Sequence, residues 1–329
     1  MADKARLMAQ ARRLYADLVV KRSSVRMLEP SESAASDTAL HFIAGLYRSG
    51  TTALRYSMSS HPEIAAPPES DFLMSLLSLR SDERGLEGLE SMGFSTNAVD
   101  GRLRHTAMYF FGNYAQSLDR QIVIDKSPLY TFILEDLVET FPDAKFVALF
   151  RNPFGQIRSL TESLRLTPSV PMFPTSGSLE NDAAAFWTLG TSLLIDACTK
   201  YPDRFLPVPY EGLCRDPQLW LSAVLEHLGI DWSDAVLSYE TSSIDIGKEG
   251  GKAAAHKGFV DLGIDISSWT DEQVATIESA TKALATGLGY QRAETDQSDP
   301  QSFRALVQAP ELQPLIAASV AEVSGREDL

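Results

Sequence analysis

Leu40-His41-Phe42-Ile43-Ala44-Gly45-Leu46-Tyr47-Arg48-Ser49-Gly50-Thr51-Thr52-Ala53-Leu54 is the stretch on which the fold of this chain turns. An apolar run of strand type enters a glycine-bearing loop, and a helix-compatible run continues to about Ser60. Strand, glycine turn and helix in that order make an anion cradle. Loop amides converge, glycines let the backbone approach, and the helix N-terminus adds partial positive charge.

Gly45-x-x-x-x-Gly50 has the glycine spacing of the Walker A loop, but Thr51 stands where that loop carries its lysine. Phosphate binding is expected; ATP is not specified. Two further strand ends carry polar groups. Gln121-Ile122-Val123-Ile124 runs into Asp125-Lys126-Ser127-Pro128, and a helix is expected from about Tyr130 to Thr140. Lys145 to Phe150 reads as a buried strand entering Arg151-Asn152-Pro153, with Asn152 suited to cap the next helix and Pro153 to its first position. Arg151 and Ser159, two helical turns apart, offer a guanidinium fork and a hydroxyl to a second phosphate.

Elsewhere, Ile64-Ala65-Ala66 reads as a short strand after His61-Pro62, and residues 71–118 as helices broken near Gly85 and Gly93. Residues 167–178 read as an irregular surface loop and 182–200 as a helix. Phe205-Leu206-Pro207-Val208-Pro209 reads as a strand that its prolines push to an edge, and Asp216-Pro217 opens a helix through His227. Strands alternating with helices predict an α/β fold of three layers, its central sheet mostly parallel, of the P-loop NTPase type, with ligands at the strands' carboxyl ends. The expected organisation is an amphipathic helix and linker over 1–37, one domain over 38–290, and a polar, weakly helical tail over 291–329.

With 329 residues, 44% of them apolar, the chain has ample material for a core. A formal charge of −15 argues against general affinity for nucleic acid or anionic membrane, so an anion site must be a local gathering of donors. Residues 1–30 reverse the sign, with seven basic against three acidic side chains, and read as a helix packed on the domain with a solvated basic face. Cys198 and Cys214 support neither a disulfide framework nor a cysteine-rich metal site. With no signal-like or membrane-spanning apolar run, a cytoplasmic protein without a transmembrane segment is expected.

Gly45-Leu46-Tyr47-Arg48-Ser49-Gly50-Thr51-Thr52 resembles the 5′-phosphosulfate loop of the sulfotransferases, and Phe146 to Arg151 with Ser159 resembles their 3′-phosphate motif. Tyr210-Glu211-Gly212-Leu213 is similar to a Tyr-Glu-x-Leu that follows a later strand of that family, and the resemblance runs from about Ala39 to Tyr290. It implies a donor, 3′-phosphoadenosine 5′-phosphosulfate (PAPS), a product, adenosine 3′,5′-bisphosphate, and no metal. Arg48, Ser49, Gly50, Thr51 and Thr52 would hold the phosphosulfate, and Arg151 and Ser159 the 3′-phosphate. Tyr210 reads as a nucleotide contact or as a core aromatic.

Many cytosolic members carry Lys-Thr-His-Leu-Pro, whose His is the base; here Asp125-Lys126-Ser127-Pro128-Leu129 keeps the Lys and lacks the His. The tyrosylprotein-type branch uses a Glu after a His-Pro. Here His61-Pro62 is followed by Pro68-Glu69-Ser70, and Glu69 lies 21 residues past Arg48, as in that branch. The resemblance therefore implies Glu69 as general base, with Lys126 and Arg48 supplying positive charge. Lys257-Gly258 resembles a nucleotide-closing Arg-Lys-Gly with His256 in place of Arg, though the Gly-Asp-Trp expected next is Phe259-Val260-Asp261. The acceptor is expected to be a hydroxyl-bearing small molecule, lipid or glycan; Phe72, Met74, Tyr109, Phe110, Met172 and Phe173 read either as lining its pocket or as core, and association of identical copies is left open. Two rivals are a small-molecule kinase with Asp125 as Mg²⁺ ligand and a non-catalytic nucleotide-binding protein. Missing the loop lysine weighs against the first, and the intact Glu69, Lys126 and phosphate motifs weigh against the second.

Overall fold

The computed structural model describes residues 38–166, 178–238, 258–260, 266–267, 269–291 and 299–317. The expected N-terminal helix, residues 167–177 with Met172 and Phe173, and both His256 and Lys257 lie outside the described residues.

Five strands form one sheet: β1 (Ala39–Ala44), β2 (Ile64–Ala65), β3 (Ile122–Lys126), β4 (Phe146–Phe150) and β5 (Phe205–Pro209), in the order β2-β3-β1-β4-β5. Every pairing is parallel. The chain builds one side of β1 with β2 and β3, then crosses to the other for β4 and β5, so β1 lies at the switch point where such sheets open a crevice. Pro207 and Pro209 are tolerated because β5 is an edge strand paired only with β4. Phe42, Phe146 and Phe205 are register partners, and their rings stack across β1, β4 and β5 at 5.2 and 4.5 Å.

The helices are α1 (Thr51–Ser59), α2 (Phe72–Leu77), α3 (Glu83–Ser91), α4 (Thr96–Ser117), α5 (Leu134–Thr140), α6 (Pro153–Leu166), α7 (Leu179–Lys200), α8 (Tyr210–Arg215), α9 (Pro217–Leu228), α10 (Asp271–Gly287) and α11 (Pro300–Val307). None of the described helices is long and apolar enough to cross a membrane. Helix α7 is the broadest buried helix, with Phe186, Trp187, Leu194 and Ile195 in the core.

Three local expectations shift. The break expected near Gly85 falls at Asp82, whose carboxylate accepts from the Gly85 amide and so starts α3 there, with Gly85 inside the helix. The helix expected from Tyr130 is a 3-10 turn over Pro128–Phe132, with α5 beginning only at Leu134. Ser178 caps α7 and draws its start to Leu179, ahead of the expected residue 182. Past the expected domain limit, Phe303 and Val307 of α11 are fully buried, Phe303 edge-on to Phe150 and Trp220.

Candidate donor and transfer site

All five strands deliver a group to one rim. The loop after β1 turns through Arg48 and Gly50, both in left-handed conformation at φ 67° and 101°. At Gly50 two needs coincide, since a Cβ there would also lie 2.2 Å from the Tyr210 ring. Ser49 is buried and donates its hydroxyl to Leu46 O at 2.7 Å, closing the loop on itself. The Gln156 amide of α6 donates to Tyr47 O at 2.9 Å, tying the loop to the helix after β4. Thr51 and Thr52 open α1, where free amides and the helix dipole favour an anion.

Arg151 follows β4, as expected. Its guanidinium lies over the Tyr210 ring at 4.6 Å and donates from Nη1 to Arg48 O at 2.7 Å. Trp187 of α7 donates to Arg151 O at 3.1 Å, which fixes the backbone at this strand end. Arg48 Nε donates to Ser159 Oγ at 2.9 Å, so the two phosphate motifs touch directly. Burial, and then the charge of Arg151, hold the Arg48 guanidinium below its ordinary value. Two like charges face each other there, an arrangement that a bound anion relieves.

Tyr210 does structural work at the rim. It is 9% exposed, carries Arg151 on its ring, closes against Gly50, and donates its hydroxyl to Val260 O at 2.8 Å. Its neighbour Glu211 accepts the Asn152 amide at 2.9 Å, while Asn152 Oδ1 accepts from the Phe154 amide and caps α6 as expected.

On the other side of β1, Lys126 ends β3 with a side chain wholly removed from solvent. Its Nζ donates to Glu69 Oε1 at 2.5 Å and to Thr52 Oγ1 at 3.4 Å, joining base candidate, cation candidate and loop in one cluster. Glu69 reaches this point because Arg55 of α1, fully buried, donates from Nη1 to Ala66 O at 2.8 Å and pins the chain just past β2. The Glu69 side chain keeps 23% of its surface open, enough for an acceptor to approach.

Asp125 is fully buried and accepts from Tyr130 OH at 2.6 Å and from Ser70 Oγ at 3.3 Å. Burial pushes its carboxyl up to about 6, the hydrogen bonds opposing part of that rise. Turned inward and engaged, it is not presented to a metal as the kinase reading requires. Ser70, Asp71, Tyr130 and Asn152 were not singled out from sequence as site residues. The period-two alternation of Asp125 and Ser127 about Lys126 is the signal that could have marked two of their partners. Phe72 of α2 packs at 5.6 Å on Phe110 and 5.1 Å on Phe111 of α4, and Phe110 is 53% exposed beside Tyr109. Among the described residues no three His, Cys, Asp or Glu side chains gather as a metal would need.

A parallel sheet with an anion loop, a buried lysine and two facing arginines at its carboxyl rim defines an α/β protein of the phosphate-cradle class. The family model described as Sulfotransferase family matches residues 41–234, more than half of the chain, and the chain belongs to the sulfotransferase family.

The chain is 27% identical over 219 residues to protein-tyrosine sulfotransferase 1 of Danio rerio, covering 65% of this chain and 59% of that one. It is 27% identical over 280 residues to nodulation protein NoeE of Sinorhizobium fredii, covering 76% and 66%. It thus spans less than two thirds of either relative's length. Among solved structures, the sulfotransferase domain from the curacin biosynthetic pathway shares the fold, with a TM-score of 0.52, 21% identity, and coverage of 77% of this chain and 98% of that domain.

Proposed function

We propose that this protein transfers a sulfuryl group from PAPS to a hydroxyl-bearing acceptor, a small molecule, lipid or glycan, and releases adenosine 3′,5′-bisphosphate. The observation that carries the reading is the buried Lys126 ammonium held between Glu69 and Thr52 at the mouth of the phosphate loop. Arg48, Ser49, Gly50, Thr51 and Thr52 receive the phosphosulfate end, and Arg151 and Ser159 the 3′-phosphate. The like-charge pair of Arg48 and Arg151 fits a polyanionic nucleotide.

When bound, the donor supplies a sulfuryl group on a bisphosphate leaving group, so an S–O bond to the acceptor forms as the S–O bond to the 5′-phosphate breaks. Glu69 Oε takes the acceptor's hydroxyl proton. Lys126 and Arg48 stabilise negative charge gathering on the leaving oxygen, as positioned cations do in phosphoryl transfer.

The experiment is incubation with PAPS and a panel of phenols, alcohols and glycans, reading sulfated product and bisphosphate by mass. One equivalent of each supports the reading. No product, together with no thermal shift at saturating adenosine 3′,5′-bisphosphate, defeats it.

A further inference from the structure

The segment that carries Glu69 hangs on weak secondary structure. Strand β2 is two residues long, at the sheet edge, and two prolines follow before Glu69. Such a segment has few backbone bonds to hold a side chain within catalytic tolerance. Three consecutive residues after the prolines instead meet three consecutive residues at the end of β3. Glu69 meets Lys126 at 2.5 Å, Ser70 meets Asp125 at 3.3 Å, and Asp71 Oδ1 accepts from Ser127 Oγ at 2.6 Å.

The alternation of β3 sorts these contacts. Ser127, still extended at φ −140° just past β3, continues the alternation, so Asp125 and Ser127 fall on one side of the strand direction and Lys126 on the other. Their own anchoring is firm. Asp125 is locked by Tyr130, whose hydroxyl also lies 3.4 Å from Ser70 Oγ, and Ser127 is fully buried and accepts the Leu129 amide. Asp71 holds φ 52°, a conformation an ordinary residue resists. It stands at the N-cap of α2 yet makes no capping bond, its carboxylate being committed to Ser127.

We propose that Ser70 and Asp71 are positioning residues that staple the Glu69 segment to the end of β3 and so set the base against Lys126. The proposal rests on the reading of Glu69 as base. Neither residue touches the reacting atoms; each acts through the backbone it holds.

The test uses the full chain with ¹⁵N-labelled lysine. In the free protein the Lys126 Nζ–H signal, assigned through Lys126→Arg, is expected to be slow to exchange, since the side chain is covered and bonded to Glu69. Asp71→Gly removes the carboxylate while suiting the positive φ, and Asp71→Asn keeps a side chain able to bond Ser127 in the same backbone shape. Combined Ser70→Ala/Asp71→Gly is expected to lose the Lys126 signal and to speed hydrogen exchange over residues 67–73 by about tenfold. Asp71→Asn is expected to retain both, and adenosine 3′,5′-bisphosphate affinity is expected to stay within about threefold in all variants. An unchanged signal and unchanged exchange in the double variant, with bisphosphate binding intact, overturn the staple alone. Loss of bisphosphate binding in step with loss of the signal shows general unfolding of the rim and also overturns it. Absence of bisphosphate binding by the unaltered protein overturns the sulfotransfer reading beneath it.

Discussion

Arg48 Nε donates to Ser159 Oγ at 2.9 Å, a bond between residues 111 positions apart that joins the loop after β1 to the helix after β4. Arg151 returns the link by donating to the Arg48 carbonyl at 2.7 Å. The loop after β1 and the helix after β4 are therefore one mechanical unit, and a change in either is felt in both.

Adenosine 3′,5′-bisphosphate is expected to raise the melting temperature, because a ligand bound by the folded chain alone stabilises it. Ser159→Ala removes one hydroxyl and should weaken that binding by about ten- to a hundredfold, the worth of one hydrogen bond to a charged partner. Arg151→Ala, which also strips the Tyr210 ring of its cation, should weaken it further. Calorimetric titration decides. Unaltered affinity in Ser159→Ala removes that residue from the grip.

Glu69→Gln keeps the shape of the base and removes its proton affinity. Transfer should fall by about a hundredfold or more, with bisphosphate affinity nearly intact. Turnover that survives in this variant moves the base elsewhere, and His105, exposed on α4, is the next residue to change.

Gly50→Ala should cost about 2–4 kcal/mol, from a disfavoured left-handed conformation and from contact with the Tyr210 ring. Adding Tyr210→Ala relieves the steric part only, so the double variant should recover some of the loss relative to Tyr210→Ala alone. Urea denaturation of the four proteins measures it; simple additivity refutes the contact.

Buried His41 and half-buried His227 set an acid limit. Burial, aided by the charge of Lys145, lowers His41 to about 4 and His227 to about 4. Each stays neutral in the folded chain while the unfolded chain takes up a proton below about 6.5, so stability present at pH 7 is lost as pH falls from there to about 4. Asp125 works in the opposite sense, its contribution fading as pH rises from the ordinary carboxylate range to about 6. Two groups with the wider shift outweigh one. The melting temperature should fall between pH 7 and pH 4.5, and His41→Gln should flatten the fall by on the order of 3 kcal/mol at most. An equal slope in that variant shows that His41 is not the cause.

The parts of the site that follow strands directly were legible in the sequence. Gly45 to Thr52, Lys126 and Arg151 each sit where an apolar run stops, and periodicity finds such junctions from local residues alone. The outer rungs between Ser70-Asp71 and Asp125-Ser127 were not legible, because they depend on β2 lying beside β3, a pairing that two residues of strand barely announce. The Arg48–Ser159 bond was hidden for the same reason: each residue signals phosphate alone, and only the fold shows that they touch. Gly85 misled because Asp82 offered a better cap three residues earlier.

The rim is also divided by ownership. On the proposed reading, the loop after β1, Arg151 after β4 and Tyr210 after β5 make up the donor grip. Glu69 and the aromatic pair Phe72 and Phe110 belong to the single crossover between β2 and β3, which carries α2, α3 and α4. On that reading, grafting that one crossover from a relative is expected to exchange the acceptor preference while leaving the currency of the reaction untouched, the two being divided along the line of β1.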